Sequence, residues 1–318
     1  MLKNIYPLTE TLDYSANATK SVEIPKSGYI TELNILFSIR ITAASSVSAA
    51  EDAMVRLIKA ARISASGAKN YFDISDGRQW YYWNYFNYEG QVAGDSLPSA
   101  GSSGDVTLLL TVHWGLDPYI DTDRTIILPS PELQNINLEI DWGAASDLGT
   151  GYTIDTSNSK AYVEVTELAL EQGELRESIW KTLLSPRFEA REIAVTSTYS
   201  NLAKESEVPV GDVLYQTVIM VLDSSGDRSN SYVSEFGVKY PKERRTPYKR
   251  KFNSLRAISR RQFRTTSTVT GVFLLPWSDL TDKEKGIDLR GAQVGDVKTG
   301  YTVDTANGSI HELHYAFG

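Results

Sequence analysis

The chain has 318 residues, 41% apolar and 23% charged, with a formal net charge of −8 and no cysteine. This excludes a wholly disordered chain, a molecule basic enough overall to bind nucleic acid, and any disulfide scaffold, thiolate metal site or cysteine nucleophile. The length suits one large domain or two of ordinary size. No apolar run approaches the ~20 residues that cross a bilayer. The first residues, Met1-Leu2-Lys3-Asn4-Ile5-Tyr6-Pro7, lack a signal-like apolar stretch, so the expectation is a soluble protein made in a cytoplasm.

Residues 1–19 read as an N-terminal arm. Residues 31–42 predict a strand, with Leu33, Ile35, Phe37, Ile39 and Ile41 on one face and Asn34, Ser38 and Arg40 on the other. Residues 43–53 are small and polar and read as a loop. Residues 54–65 fit period two and are read as a strand, although Ser48, Glu51 and Asp52 could cap a helix there. Asp76-Gly77 is a hairpin-turn signal. The aromatic run Trp80 to Tyr88 follows and is read as a strand, with Trp80, Tyr82, Phe86 and Tyr88 on one face and Tyr81, Trp83 and Tyr85 on the other. Further strands are expected at 106–114, 126–128, 138–142 and 161–170.

Residues 171–191 break the pattern. Leu175, Ile179 and Leu183 recur at helical spacing and Pro186 ends the run, which predicts a connector helix near 174–184. Strands resume at 192–200, 213–222, 232–238, 269–275 and 302–315, with one helical turn near 280–287. Many short alternating runs separated by Gly, Ser, Asn and Asp make the chain all-β, a sandwich or barrel.

Two phrases occur twice. Gly151-Tyr152-Thr153-Ile154-Asp155-Thr156-Ser157-Asn158 returns as Gly300-Tyr301-Thr302-Val303-Asp304-Thr305-Ala306-Asn307, 149 positions later (151 to 300). Glu23-Ile24-Pro25 returns as Glu207-Val208-Pro209, 184 positions later (23 to 207), each time before a strand run. A period of this size points to a duplicated domain, with a second copy about 35 residues shorter. Tyr152 and Tyr301 are expected at equivalent positions near the start of each copy's last strand.

No nucleophile elbow, zinc-protease, Walker or dinucleotide-binding pattern is present, and nothing in the sequence pairs two carboxylates. His311 and His314 fall on opposite faces of a strand, which removes a shared metal site. The chain therefore reads as a non-enzyme with no cofactor or metal. Two segments invite function. The aromatic run offers Trp80, Tyr82, Trp83 and Tyr85 as interface candidates on whichever face the core does not take. Residues 239–264 hold eleven cations, namely Lys239, Lys242, Arg244, Arg245, Lys249, Arg250, Lys251, Arg256, Arg260, Arg261 and Arg264, against the single acid Glu243. The rest of the chain has 21 basic and 39 acidic residues, a balance of −18. A solvated face is the plain reading of such a stretch; contact with anionic lipid, nucleic acid or acidic patches on neighbouring copies is the functional one, with Arg244, Arg245, Lys249, Arg250, Lys251, Arg260 and Arg261 as the contact candidates.

Leu184-Ser185-Pro186-Arg187-Phe188-Glu189 leading to Glu207-Val208-Pro209-Val210-Gly211 and an alternating strand resembles the entry into the second jelly roll of corticovirus-type capsid proteins. With the tandem copies, the chain resembles the double jelly-roll major capsid proteins of the tectivirus and corticovirus lineage. That resemblance implies two eight-stranded jelly rolls at 20–170 and 192–318, joined by a helical connector at 171–191. It implies a homotrimeric, pseudo-hexagonal capsomer that tiles an icosahedral shell, a place in the virion after synthesis in the host cytoplasm, and no catalytic residues. The implied partners are other copies, neighbouring capsomers, minor capsid or vertex proteins and an internal lipid membrane, without sequence-specific nucleic-acid binding. A carbohydrate- or receptor-binding sandwich, spike- or lectin-like with Trp80, Tyr82 and Trp83 as its platform, is the alternative.

Overall fold

A computed structural model describes residues 2–65, 69–115, 127–169, 185–280 and 286–318. It divides the chain into two compact units at Pro186/Arg187, with Tyr85–Gly90 grouped with the second.

The first unit contains β1 (Leu2–Pro7), β2 (Leu12–Asp13), β3 (Thr19–Ile24), β4 (Tyr29–Ala49), α1 (Ala53–Arg56), β5 (Ile58–Ala65), β6 (Lys69–Ile74), most of α2 (Gly77–Asn87), β7 (Ser103–His113), β8 (Ile136–Trp142), β9 (Gly149–Ile154) and β10 (Lys160–Ala169). The second contains β11 (Pro186–Val195), β12 (Tyr199–Glu207), β13 (Val213–Leu222), β14 (Val233–Tyr240), β15 (Arg245–Lys251), α3 (Phe252–Gln262), β16 (Val272–Pro276), β17 (Ile287–Asp288), β18 (Lys298–Val303) and β19 (Gly308–Phe317).

Each unit has two antiparallel sheets of matching topology. The order β1-β10-β4-β7 recurs as β11-β19-β13-β16, and β3-β8-β5-β6 recurs as β12-β18-β14-β15. Eight strands in two sheets with this interleaving make a jelly roll, here twice over. The period-two alternation sets the register. Leu33, Ile35 and Phe37 of β4 stand opposite Val165, Val163 and Ala161 of β10 and opposite Val112, Leu110 and Leu108 of β7. All are buried, and Phe37 meets Trp142 of the facing sheet edge-on at 5.7 Å between ring centroids. In the second unit Phe236 of β14 meets Phe273 of β16 at 5.3 Å across the same kind of core. Burying each such side chain contributes about 1.5–3 kcal/mol, so the inward rows are what hold each pair of sheets together.

Several expectations need correction. Residues 1–19 supply β1 and β2, which pair with β10, rather than a separate arm. The loop expected at 43–53 is strand as far as Ala49, and α1 occupies the first part of 54–65. The run 302–315 is a hairpin of β18 and β19. The connector helix near 174–184 lies outside the described residues, and from Pro186 the chain is already strand β11. Ser130–Glu132 and Trp277–Leu280 are short 3₁₀ turns; the rest of the turn expected at 280–287 lies outside the described residues as far as 285.

The two repeated phrases fare differently. Glu23-Ile24-Pro25 closes β3 and Glu207-Val208-Pro209 closes β12, topologically the same strand in each roll. Tyr301, in contrast, lies in β18, whose counterpart is β8. Tyr152 lies in β9, an extra strand that pairs with the far end of β4. The tyrosines are not equivalent, although the Asp-Thr-x-Asn turn after each of them leads into the last strand in both rolls.

Candidate functional site

The aromatic run is a helix, not a strand. Asp76 opens it, its carboxylate accepting the Arg78 N–H at 2.9 Å and its carbonyl the Gln79 N–H at 3.0 Å, while Gln79 Oε1 accepts the Ser75 N–H at 3.1 Å. Asp76 thus caps the helix through the N–H of its second residue, while Gln79 reaches back past the cap to Ser75, and Asp76-x-x-Gln79 was the sequence signal. Gly77 is therefore the first helical residue rather than a hairpin turn, and a Cβ there would lie 2.6 Å from the Val55 carbonyl oxygen. An all-aromatic run satisfies period two and period 3.6 equally, so periodicity could not separate the two states.

The helix takes three interface candidates into the core. Trp80, Tyr82 and Trp83 are each at most 2% exposed. Trp80 meets Phe72 and Phe37 edge-on at 5.1 and 6.1 Å and donates its indole N–H to the Thr111 carbonyl at 2.7 Å. Asn84 donates to the same carbonyl and accepts the Thr111 N–H at 2.7 Å, which fastens α2 to β7. No exposed aromatic platform forms from these residues. Tyr85 alone of the four is half-buried.

The basic stretch is the end of β14, a 3₁₀ turn at Pro241–Glu243, edge strand β15 and helix α3. Of β15 only Tyr248 is buried. Exposed Lys and Arg along an edge strand oppose pairing with another chain. Acids, all but Glu243 from outside the stretch, absorb part of the charge. Glu235 binds both Lys249 and Lys251 at 2.9 Å, and these lysines hold its carboxyl at about 2. Glu205 holds Lys239 and Lys298, Asp296 holds Lys242 at 2.6 Å, and Glu243 pairs with Arg245. Arg250 lies over the Tyr248 ring, 5.3 Å from its centroid. Helix α3 buries Phe252, Leu255 and Ser259 on one face, with Ser259 bonded to both the carbonyl and the N–H of Leu274 in β16. Its exposed face carries Arg260 and Arg261, and exposed Arg244 sits in the left-handed conformation at the turn. Among the described residues, these three make no ion pair. The segment thus sorts into surface cations paired with acids of the same chain and a smaller set without an ion pair.

Sequence reasoning missed a polar cluster inside the second roll. Glu312 of β19 accepts hydrogen bonds from the hydroxyls of Thr299 and Tyr301 on β18 and lies 3.2 Å from His314 Nε2. His314 Nδ1 meets Thr217 Oγ1 at 2.9 Å, and that hydroxyl oxygen accepts the Trp277 indole N–H at 2.7 Å. All six side chains belong to residues with no exposure. The cluster joins one sheet to the other through bonds that an apolar core lacks. The only hint in the sequence was a Glu-x-His on a strand whose neighbours are apolar.

No family model and no curated protein matches this chain. Solved structures do. The chain is similar over 100% of its length and 97% of the other to the STIV MCP of Sulfolobus Turreted Icosahedral Virus, with TM-score 0.82 and 16% identity. It is similar to the PBCV-1 virus capsid, with TM-score 0.63 and 10% identity over 99% of this chain and 94% of that one. It is also similar to the major capsid protein P2 from bacteriophage PM2, with TM-score 0.58 and 10% identity over 99% and 97%. The fold of this chain, end to end, is the double jelly roll of these capsid proteins.

Proposed function

We propose that the chain is a viral major capsid protein whose homotrimers present six jelly rolls as a pseudo-hexagonal tile of an icosahedral shell. The observation that carries the reading is that the likeness runs through both rolls and the whole chain. A structural role in the virion follows, with other copies of the chain as first partners and minor capsid or vertex proteins and an internal membrane as further ones. The outward cations of the basic segment are proposed as contacts to neighbouring capsomers first and to anionic lipid second, because the balance of −18 elsewhere supplies acidic surface on every neighbouring copy. With Trp80, Tyr82 and Trp83 inside the core, the trimer surface is sought elsewhere. Tyr162 of β10 and Leu36 of β4 stand opposite each other, 43% and 38% exposed, on the outer face of the first sheet. Apolar side chains paired on an outer sheet face are suited to burial against another copy.

The test is the mass of the purified protein by light scattering, followed by electron microscopy of what it assembles into. Three chains of 35.3 kDa each, and shells or hexagonal sheets, are expected. A stable monomer at micromolar concentration that forms no ordered assembly would overturn the reading.

A further inference from the structure

The first roll is the longer one, and its additions build a cavity. β4 runs 21 residues against ten in its counterpart β13. Its far end is held by β9, which has no counterpart among the described residues of the second roll. Gly149 and Gly151 have positive φ, and a Cβ on either would strike the carbonyl oxygen of Ser48 or Ser46, so β9 lies hard against that end. Between this tail, α1, the start of α2 and residues 92–99 lies a cavity of about 530 Å³. Its walls therefore come from the β4–β5, β6–β7 and β8–β10 connections, which converge at one end of the sandwich. The volume falls within the ~300–1,000 Å³ of ordinary small-ligand sites.

The lining has a distinct chemistry. Tyr81 and Tyr152 contribute aromatic surface; Asp52, Asp95, Ser96 and Ser99 contribute polar atoms; the remainder is aliphatic or glycine apart from Met54. No Lys, Arg or His is among the described residues that line it. An anionic ligand would find no counter-charge there. A strongly cationic ligand would compete with bonds already made, because both carboxylates are engaged by hydroxyls, Asp52 by Tyr82 at 2.9 Å on both oxygens and Asp95 by Thr107. Asp95 is exposed and held by Thr107, whose N–H and hydroxyl both bond Oδ2, so its position is fixed by β7. Fixed carboxylates accept pairs of hydroxyls, serine hydroxyls both donate and accept, and tyrosine rings take the C–H faces of a pyranose.

We propose that this cavity is a binding site for a neutral saccharide unit, formed by Tyr81, Tyr152, Asp52, Asp95, Ser96 and Ser99. The site is separate from the buried Trp80, Tyr82 and Trp83, and it stands whether or not the chain forms a shell.

The test uses the full chain titrated by calorimetry and saturation-transfer NMR with the methyl glycosides of glucose, galactose, mannose and N-acetylglucosamine. Spermidine serves as the cationic probe and 3′-sialyllactose as the anionic one. At least one neutral glycoside should bind more tightly than either charged probe. Asp95→Asn and Tyr81→Ala should each weaken that binding by about tenfold, while Tyr162→Ala, on the outer sheet face, leaves it unchanged. Should Tyr81→Ala fail to fold, the exposed Asp95→Asn decides alone. Absence of binding by all four neutral glycosides, tighter binding of a charged probe, or neutral binding indifferent to Asp95→Asn would each overturn the proposal.

Discussion

Glu312 and His314 lie side by side on β19 at the centre of the second roll, Oε2 of one 3.2 Å from Nε2 of the other, both with no exposure. Burial pushes the Glu312 carboxyl up. The hydrogen bond and charge of His314, with the hydroxyls of Thr299 and Tyr301, outweigh that and leave it below its ordinary value of 4.5. A carboxylate with a depressed value stabilises the fold above its unfolded value, and the contribution is lost as pH falls through the folded one. The melting temperature is therefore expected to fall as pH drops below 4.5. Glu312→Gln should be less stable at pH 7 and should lose less on acidification. Scanning calorimetry of both proteins between pH 7 and pH 3 checks this; equal slopes below 4.5 would show that the buried carboxylate does not contribute.

The partner side of the pair gives a larger effect. His314→Leu leaves a buried carboxylate short of one of its partners, and breaking a buried pair from one side costs about 3–5 kcal/mol. Denaturant unfolding reads this directly. A loss under about 1 kcal/mol would mean that the Thr299 and Tyr301 hydroxyls suffice to hold Glu312.

Tyr152 and Tyr301 share a sequence phrase but not a structural role, and a single oxygen atom distinguishes them. Tyr301→Phe removes a donor to the buried Glu312 carboxylate and should cost about 1.5–3 kcal/mol, the usual size of a hydrogen bond to a charged group. Tyr152→Phe should stay within about 0.5 kcal/mol. Similar losses for the two would restore the equivalence that the strand pairing denies.

How much of this was readable in advance depends on the residue. The inward row Leu33, Ile35, Phe37, Ile39 and Ile41 announced β4 because alternation on a half-buried sheet has one interpretation. Strand β13 was read with the bounds it has, 213–222, for the same reason. The duplication was legible too, yet its longer phrase misled: turn chemistry before the last strand had repeated without the strand before it. What failed were the helices. α2 and α3 are each 11 residues and each lies between the fifth and sixth of the eight strands that the two rolls share, so the two most unusual segments of the sequence occupy one topological place. In α2 the aromatic residues crowd every face. In α3 the helical spacing of the buried Phe252, Leu255 and Ser259 was hidden beneath seven cations from Lys249 to Arg264. The Glu312 cluster was invisible because strands far apart in sequence assemble it.

Because α2 is a packing element, its largest side chain should matter to stability rather than to surface chemistry. Trp80→Ala should cost about 3–5 kcal/mol, as for large-to-small changes in well-packed cores. Tyr162→Ala, at an exposed position, should change the monomer's stability by less than about 0.5 kcal/mol. Chemical denaturation of the two variants separates a core helix from an exposed platform; a neutral Trp80→Ala would return the aromatic run to the surface.

Helix α3 offers the cleanest test of the basic surface, because its inward and outward residues are distinct. Phe252, Leu255 and Ser259 fix it to the roll, and Arg260 and Arg261 are exposed beyond them. Reversing those two charges leaves the buried face untouched, so the melting temperature should move little. The surface field there changes by four charges, and contacts that depend on it are screened over about 10 Å at 0.1 M salt. If the helix meets acidic surface on a neighbouring copy, Arg260→Glu with Arg261→Glu should keep the trimer's mass and abolish higher assembly at low salt. If it meets lipid instead, the double variant should assemble normally and lose co-sedimentation with vesicles containing phosphatidylglycerol. Arg245, paired with Glu243, is the less informative target, since its reversal also disturbs the turn. Normal assembly together with unchanged vesicle binding, at low and high salt alike, would show that these arginines do no more than keep the helix solvated.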